Sequence, residues 1–250
     1  MANPVFSEKV FRNTVATEDT GVMTVGGTAI KSLVLIFMVL IGAMYTWKVA
    51  YEAINPASVQ PWMYGGAIGG FILAIIISFK PMWAQYLAPV YAVLEGLFLG
   101  GISAIFSQAF ATKAPGIVMN ATLLTMLTAV VMLLIYRAKI IKVDGKFARI
   151  MMIALGTIML YYISTWILSM FGVNLTMLHD SGPLSIGISL VIVGVAAFML
   201  LLDFNFIEKA SEAGAPKYME WYGAFGLMVT LVWLYLEILK LLAKFAGSRN

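Results

Sequence analysis

Asp203, Glu95 and Glu237 are acids standing inside long apolar stretches. Asp203 closes the run ISLVIVGVAAFMLLLD, Glu95 lies within APVYAVLEGLFLGGIS, and Glu237 follows WYGAFGLMVTLVWLYL. A carboxylate at the centre of a membrane helix costs about 2.5 kcal/mol or more, so each of these acids is a functional hypothesis by default. Two carboxylates held close in low dielectric cannot both ionise cheaply, so such a pair shares a proton. The same pair offers hard oxygen ligands to a divalent cation such as calcium. The chemistry on offer is therefore proton exchange or cation binding, and the rest of the chain must decide where these acids sit.

The composition names their solvent. Of 250 residues, 62% are hydrophobic and 11% charged, whereas a soluble domain carries about 25% charged residues. This is an all-α integral membrane protein, and its first partner is the lipid bilayer. The chain has no cysteine, which excludes disulfides, thiolate metal sites and a thiol nucleophile. Its one histidine, His179, cannot hold a metal alone. The HExxH, GxSxG and Gly-rich phosphate-loop motifs are missing, so no enzyme is expected, and no cofactor beyond a calcium ion. The net charge of +4 does not indicate nucleic acid, because the basic residues cluster beside apolar segments.

A span needs about 20 apolar residues. Seven segments qualify: 32–54, 62–79, 86–110, 116–136, 149–172, 184–206 and 219–243. Residues 1–31 form a polar N-terminal segment and 32–246 one membrane domain. The first apolar run is long enough to span rather than be cleaved as a signal peptide. The loop after the fourth span holds Arg137, Lys139, Lys142, Lys146 and Arg149, while VNLTMLHDSGP after the fifth holds no Lys or Arg. The positive-inside rule then makes the basic loop and the N-terminus cytoplasmic. Lys48, Lys113, Lys240, Lys244 and Arg249 fall outside, and every other Lys and Arg falls inside.

Small residues at i,i+4 spacing let helices approach closely. Gly65/Gly69 and Gly66/Gly70 in the second span and Gly96/Gly100 in the third have that spacing; Gly66, Gly70, Gly96 and Gly100 are the packing candidates. Trp47, Trp62, Trp83 and Trp221 lie near segment ends, as an aromatic belt places them. Asp180 or Ser181 is expected to cap the sixth helix, with Pro183 in its first turn.

Depth separates the acids. Glu95 lies nine residues past Tyr86, roughly 13 Å inside the third span. Asp203 lies near the same face, at the end of the sixth. It either takes part in a site with Glu95, or snorkels to the headgroups or pairs with Lys209. Glu237 lies 16 residues beyond Trp221, roughly 24 Å along the last span, with Lys240 at i+3 on its face. An interfacial salt bridge and a functional role are both open to it.

The segments LLLDFNFIEKASEAGAPKY, TLVWLYLEILKLLAKFAG and PVYAVLEGLFLGGIS resemble the transmembrane Bax-inhibitor-motif family, in its bacterial YccA-like branch. NPVF near the N-terminus is similar to one bacterial subgroup. The resemblance implies six helices surrounding a central seventh, in a bacterial inner membrane. It further implies a pH-sensitive calcium leak gated by an acidic pair on the last two helices. Asp203 matches the first acid of that pair. Matching the letters LYL puts Glu237 at the second, whereas counting along the whole hairpin puts Thr230 there. The second register keeps both positions at one depth, and with Thr230 unable to ionise, Glu95 becomes the replacement partner. Asp203 and Glu95 are then the ion, proton and calcium candidates. Thr230 and Glu237, seven apart, share a face with Gly223 and Gly226 that should look inward. The alternative is a non-conducting regulator acting on another membrane protein, such as a protease or a stress or cell-death factor.

Overall fold

The computed structural model describes residues 21–52, 56–172 and 182–248. His179, Asp180, Ser181, the NPVF segment and the remainder of residues 1–20 lie outside the described residues. Among the described residues seven α-helices follow one another: α1 Val25–Glu52, α2 Gln60–Phe79, α3 Ala84–Ala109, α4 Ile117–Arg137, α5 Gly145–Met170, α6 Pro183–Glu212 and α7 Met219–Gly247. All are long and apolar enough to cross a membrane. Among the described residues the only extended pairing is one isolated bridge, Val22 with Pro216.

Local chemistry sets the helix ends. Helix α1 begins at Val25, ahead of the expected residue 32, because the Thr24 hydroxyl accepts from the Gly27 N–H at 2.9 Å and caps it. Helix α2 stops before Pro81, whose ring drives Lys80 out of the helical region (φ −131°, ψ 75°). The 3-10 turn Pro81–Trp83 then leads into α3. Helix α5 also starts early, at Gly145, because Asp144 accepts from the Phe147 N–H at 2.8 Å. That backbone hydrogen bond holds the Asp144 carboxyl below its ordinary aspartate pKa.

The α6–α7 connection is shorter than the polar stretch 207–217 suggests. Helix α6 runs on to Glu212 because Ile207 and Ala210 are buried while Glu208 and Lys209 face outward. It closes in a Schellman motif. Ala215 N–H bonds the Ala210 carbonyl at 3.0 Å and Gly214 N–H the Ser211 carbonyl at 3.1 Å. Gly214 takes φ +69°, a conformation glycine reaches without a Cβ penalty, and Pro216 follows.

The chain divides into two compact units. One takes Phe110–Leu202 with Thr230–Asn250, the other Asn3–Ala109 with Asp203–Val229, so α6 and α7 each contribute to both. In the second unit, glycines bring α3 against its neighbours. A Cβ on Gly42 of α1 would lie 2.5 Å from the Val93 carbonyl oxygen, and one on Gly96 would strike the Val39 backbone. Gly100 abuts Ala43 and Thr46, and Gly66 of α2 abuts the α3 backbone at Leu94 and Phe98. Gly70 faces the Glu95 carboxylate, whereas Gly65 faces open space. In the first unit Met151, Met199 and Leu202 form a core that Phe147, Leu155 and Trp233 extend.

Burial varies widely between spans. Of its most apolar window, 61% is buried in α7 but only 6% in α5. Phe37, Leu127, Leu160 and Trp166 are among many large side chains left exposed on the helices. In water such surface would drive aggregation; here it is the face that the bilayer covers.

Candidate functional site

Asp203 follows Leu200, Leu201 and Leu202, all buried, and is itself 0% exposed. Full burial removes the snorkelling alternative, since a carboxylate reaching the headgroups would show accessible surface. Lys209 is exposed, six residues on. Asn205, two residues beyond Asp203, is buried, and its side-chain oxygen has no hydrogen-bond partner among the described residues.

Glu95 belongs to the same compact unit as Asp203. Its carboxylate is half-buried, hydrogen-bonded to the Tyr91 hydroxyl one turn earlier on α3. One carboxylate oxygen lies 3.0 Å from where a Cβ on Gly70 would stand. Gly70 therefore meets side chains of α3 rather than its backbone, unlike Gly66: its missing side chain makes room for the acid. Tyr91 packs edge-on against Phe225 of α7, ring centroids 4.9 Å apart. Among the described residues no three His, Asp or Glu side chains converge to hold a metal ion. Calcium at Asp203 and Glu95 would need backbone, amide or water oxygens to complete its shell, since calcium takes about 6–8 oxygen ligands.

Thr230 and Glu237 lie in the other unit, and both are buried, as are Gly223 and Gly226 on the same face of α7. Glu237 is held firmly. Its Oε1 accepts from Lys240 at 2.6 Å, from the Tyr162 hydroxyl at 2.9 Å and from the Trp233 indole N–H at 3.2 Å. Lys240 also donates to the Tyr162 hydroxyl at 3.1 Å and lies over its ring. The salt bridge read from the i,i+3 spacing is present. Tyr162, 75 residues away, carries no local signal of its role.

One buried acid escaped the sequence reading. Glu220, in the first turn of α7, is 0% exposed and ion-paired to Lys31 and Lys217. It also accepts from the Thr24 N–H and hydroxyl, each at 2.9 Å. Around it, Met23 N–H bonds the Ala215 carbonyl at 2.7 Å, and Ser211 donates to the Met23 carbonyl at 3.2 Å. Residues 21–24 are thus fastened to the α6–α7 turn. A Cβ on Gly27 would collide with the Glu220 carboxylate. The available signals were Lys217 three residues earlier and an acid at a helix N-terminus, where the dipole favours it.

Fold and site together define a polytopic membrane protein with seven spanning helices and carboxylates in its apolar interior. A family model described as Bax inhibitor 1 like matches residues 3–247, and the chain belongs to that family. No curated protein and no solved structure matches it.

Proposed function

We propose that this protein is a pH-sensitive cation leak of the Bax-inhibitor-like type, with calcium as the ion. Asp203 is the proton-responsive residue and Glu95 its partner, while Glu237 serves mainly the ion pair with Lys240. The observation that carries this reading is the full burial of Asp203 in an apolar span, where an ionisable group is expensive unless it is used. Family membership and the heavy burial of α7 support a central C-terminal helix. In the same reading the protein sits in a bacterial inner membrane with its N-terminus cytoplasmic.

Calcium flux into liposomes containing the purified protein, followed against pH, is the direct test. Deprotonating a carboxyl–carboxylate pair restores repulsion and exposes anionic oxygens, so flux should rise with pH. Asp203→Asn should flatten that dependence, and Glu95→Gln should do the same. If Glu237→Gln abolishes the response while Glu95→Gln leaves it intact, the pair is Asp203 and Glu237. A second reading is a non-conducting regulator of another membrane protein. The lack of a three-acid cluster among the described residues favours it, and liposomes that pass no calcium at any pH would establish it over the leak.

A further inference from the structure

Residues 21–24 precede α1 and lie along the α6–α7 turn. Met23 N–H bonds the Ala215 carbonyl and Lys217 N–H the Gly21 carbonyl, so Val22 faces Pro216 as a non-hydrogen-bonded antiparallel pair. Thr24 gives its N–H and its hydroxyl to Glu220, and Lys31 of α1 pairs with the same carboxylate. Met23 is buried over Gly223, where an added Cβ would stand 3.5 Å from its methyl carbon and 3.2 Å from Ile207 and Thr28. All of these residues belong to one compact unit.

The contact is built to come apart without harm to either side. Met23 alone supplies buried apolar surface; Val22, Thr24 and Val25 are exposed. A segment held by polar contacts and a single buried side chain opens locally at low cost. Glycines flank it. Gly21 takes φ +68°, and Gly26, in the first turn of α1, meets nothing within 4 Å of where a Cβ would stand, so packing does not call for a glycine there. Both positions leave the backbone free to turn. Glu220 also stays partnered when residues 21–24 leave. Lys217, at i−3 on the same side of the turn, still reaches its carboxylate, and the N-terminus of α7 favours the charge.

We propose that residues 21–24 form a releasable strap, hinged at Gly21 and Gly26 and latched on Glu220, that restrains the α6–α7 hairpin carrying Asp203. What the strap regulates rests on the leak proposed above: flux is low with the strap closed and rises on its release.

The test uses the full-length protein, which has no cysteine of its own. Non-hydrogen-bonded antiparallel pairs have Cα atoms about 4.5 Å apart, within the range a disulfide spans, so Val22→Cys with Pro216→Cys locks the strap on oxidation. Hydrogen exchange at the Met23 and Lys217 amides reads opening without reference to flux. In wild type the two amides should exchange together and faster than the interior of α7. Glu220→Gln should speed both about tenfold or more, the loss of a charge-assisted hydrogen bond. Oxidising the cysteine pair should slow exchange at Met23, lower calcium flux into liposomes, and be reversed by a reductant. The strap is overturned if both amides exchange as slowly as the α7 interior in wild type, or if neither Glu220→Gln nor the disulfide changes their exchange. The cysteine pair decides this even if Glu220→Gln does not fold. Exchange that responds while flux is equal in the oxidised and reduced protein overturns the regulatory part alone. A wild type that passes no calcium at any pH removes the leak, and exchange still decides the strap.

Discussion

Gly96→Ala adds one methyl group where α3 meets α1, and the structure allows its consequence to be worked out. The new Cβ would stand 3.0 Å from the Val39 carbonyl carbon and Cα, and closer still to the Val39 oxygen. Carbon atoms pack best at about 3.5–4.0 Å, so α1 must retreat by roughly 0.5–1 Å along that contact. The obstacle is backbone, so no side-chain rotation can relieve it. Overpacking of this kind costs about 1–3 kcal/mol, and the better helix propensity of alanine returns up to about 1 kcal/mol. The expected net loss is about 1–2 kcal/mol, or roughly 2–8 °C in the thermal midpoint for a chain of this size. Gly65→Ala is the matched control, since a Cβ there meets nothing within 4 Å. It should leave the midpoint unchanged or raise it. Unfolding in detergent, followed by tryptophan fluorescence, compares the two. Equal midpoints for both variants, or a fall in Gly65→Ala alone, would refute the assignment of these helix contacts.

The Glu237–Lys240 pair should respond asymmetrically, because their side chains are 3% and 40% exposed. Lys240→Met strands a buried charge and should cost about 3 kcal/mol. Glu237→Gln leaves Lys240 in reach of solvent and should cost about 1 kcal/mol; thermal midpoints of both variants check the order. At Asp144 the lowered pKa makes its contribution present above the unfolded aspartate pKa and lost as pH falls through the folded value. Hydrogen exchange at the Phe147 amide should therefore lose protection selectively on acidification, and Asp144→Ala should abolish that pH dependence. Topology has its own check: a reporter after Lys142 should be cytoplasmic and one near His179 external, and a single side for both would contradict seven spans.

The number, order and approximate bounds of the seven helices are legible in the sequence, because apolar length is a local property and a bilayer imposes it on each segment separately. The close-packing glycines are legible as spacing, and so is the ion pair of Glu237 with Lys240, one helical turn away. Spacing alone does not choose between Gly65 and Gly66. Each begins an i,i+4 pair, and only the approach of α3 makes one a contact and the other an open surface. The same holds for the acids. That Asp203 is wholly buried, that Glu95 rests over Gly70, and that Glu237 is gripped by Tyr162 all depend on residues from other helices. Glu220 is the clearest case, since Thr24 lies 196 residues away and leaves no periodic trace near it. Hydropathy decides which segments enter the membrane. Which polar groups meet there is decided by helix packing, because an interior acid needs partners and the chain can supply them from any distance in sequence.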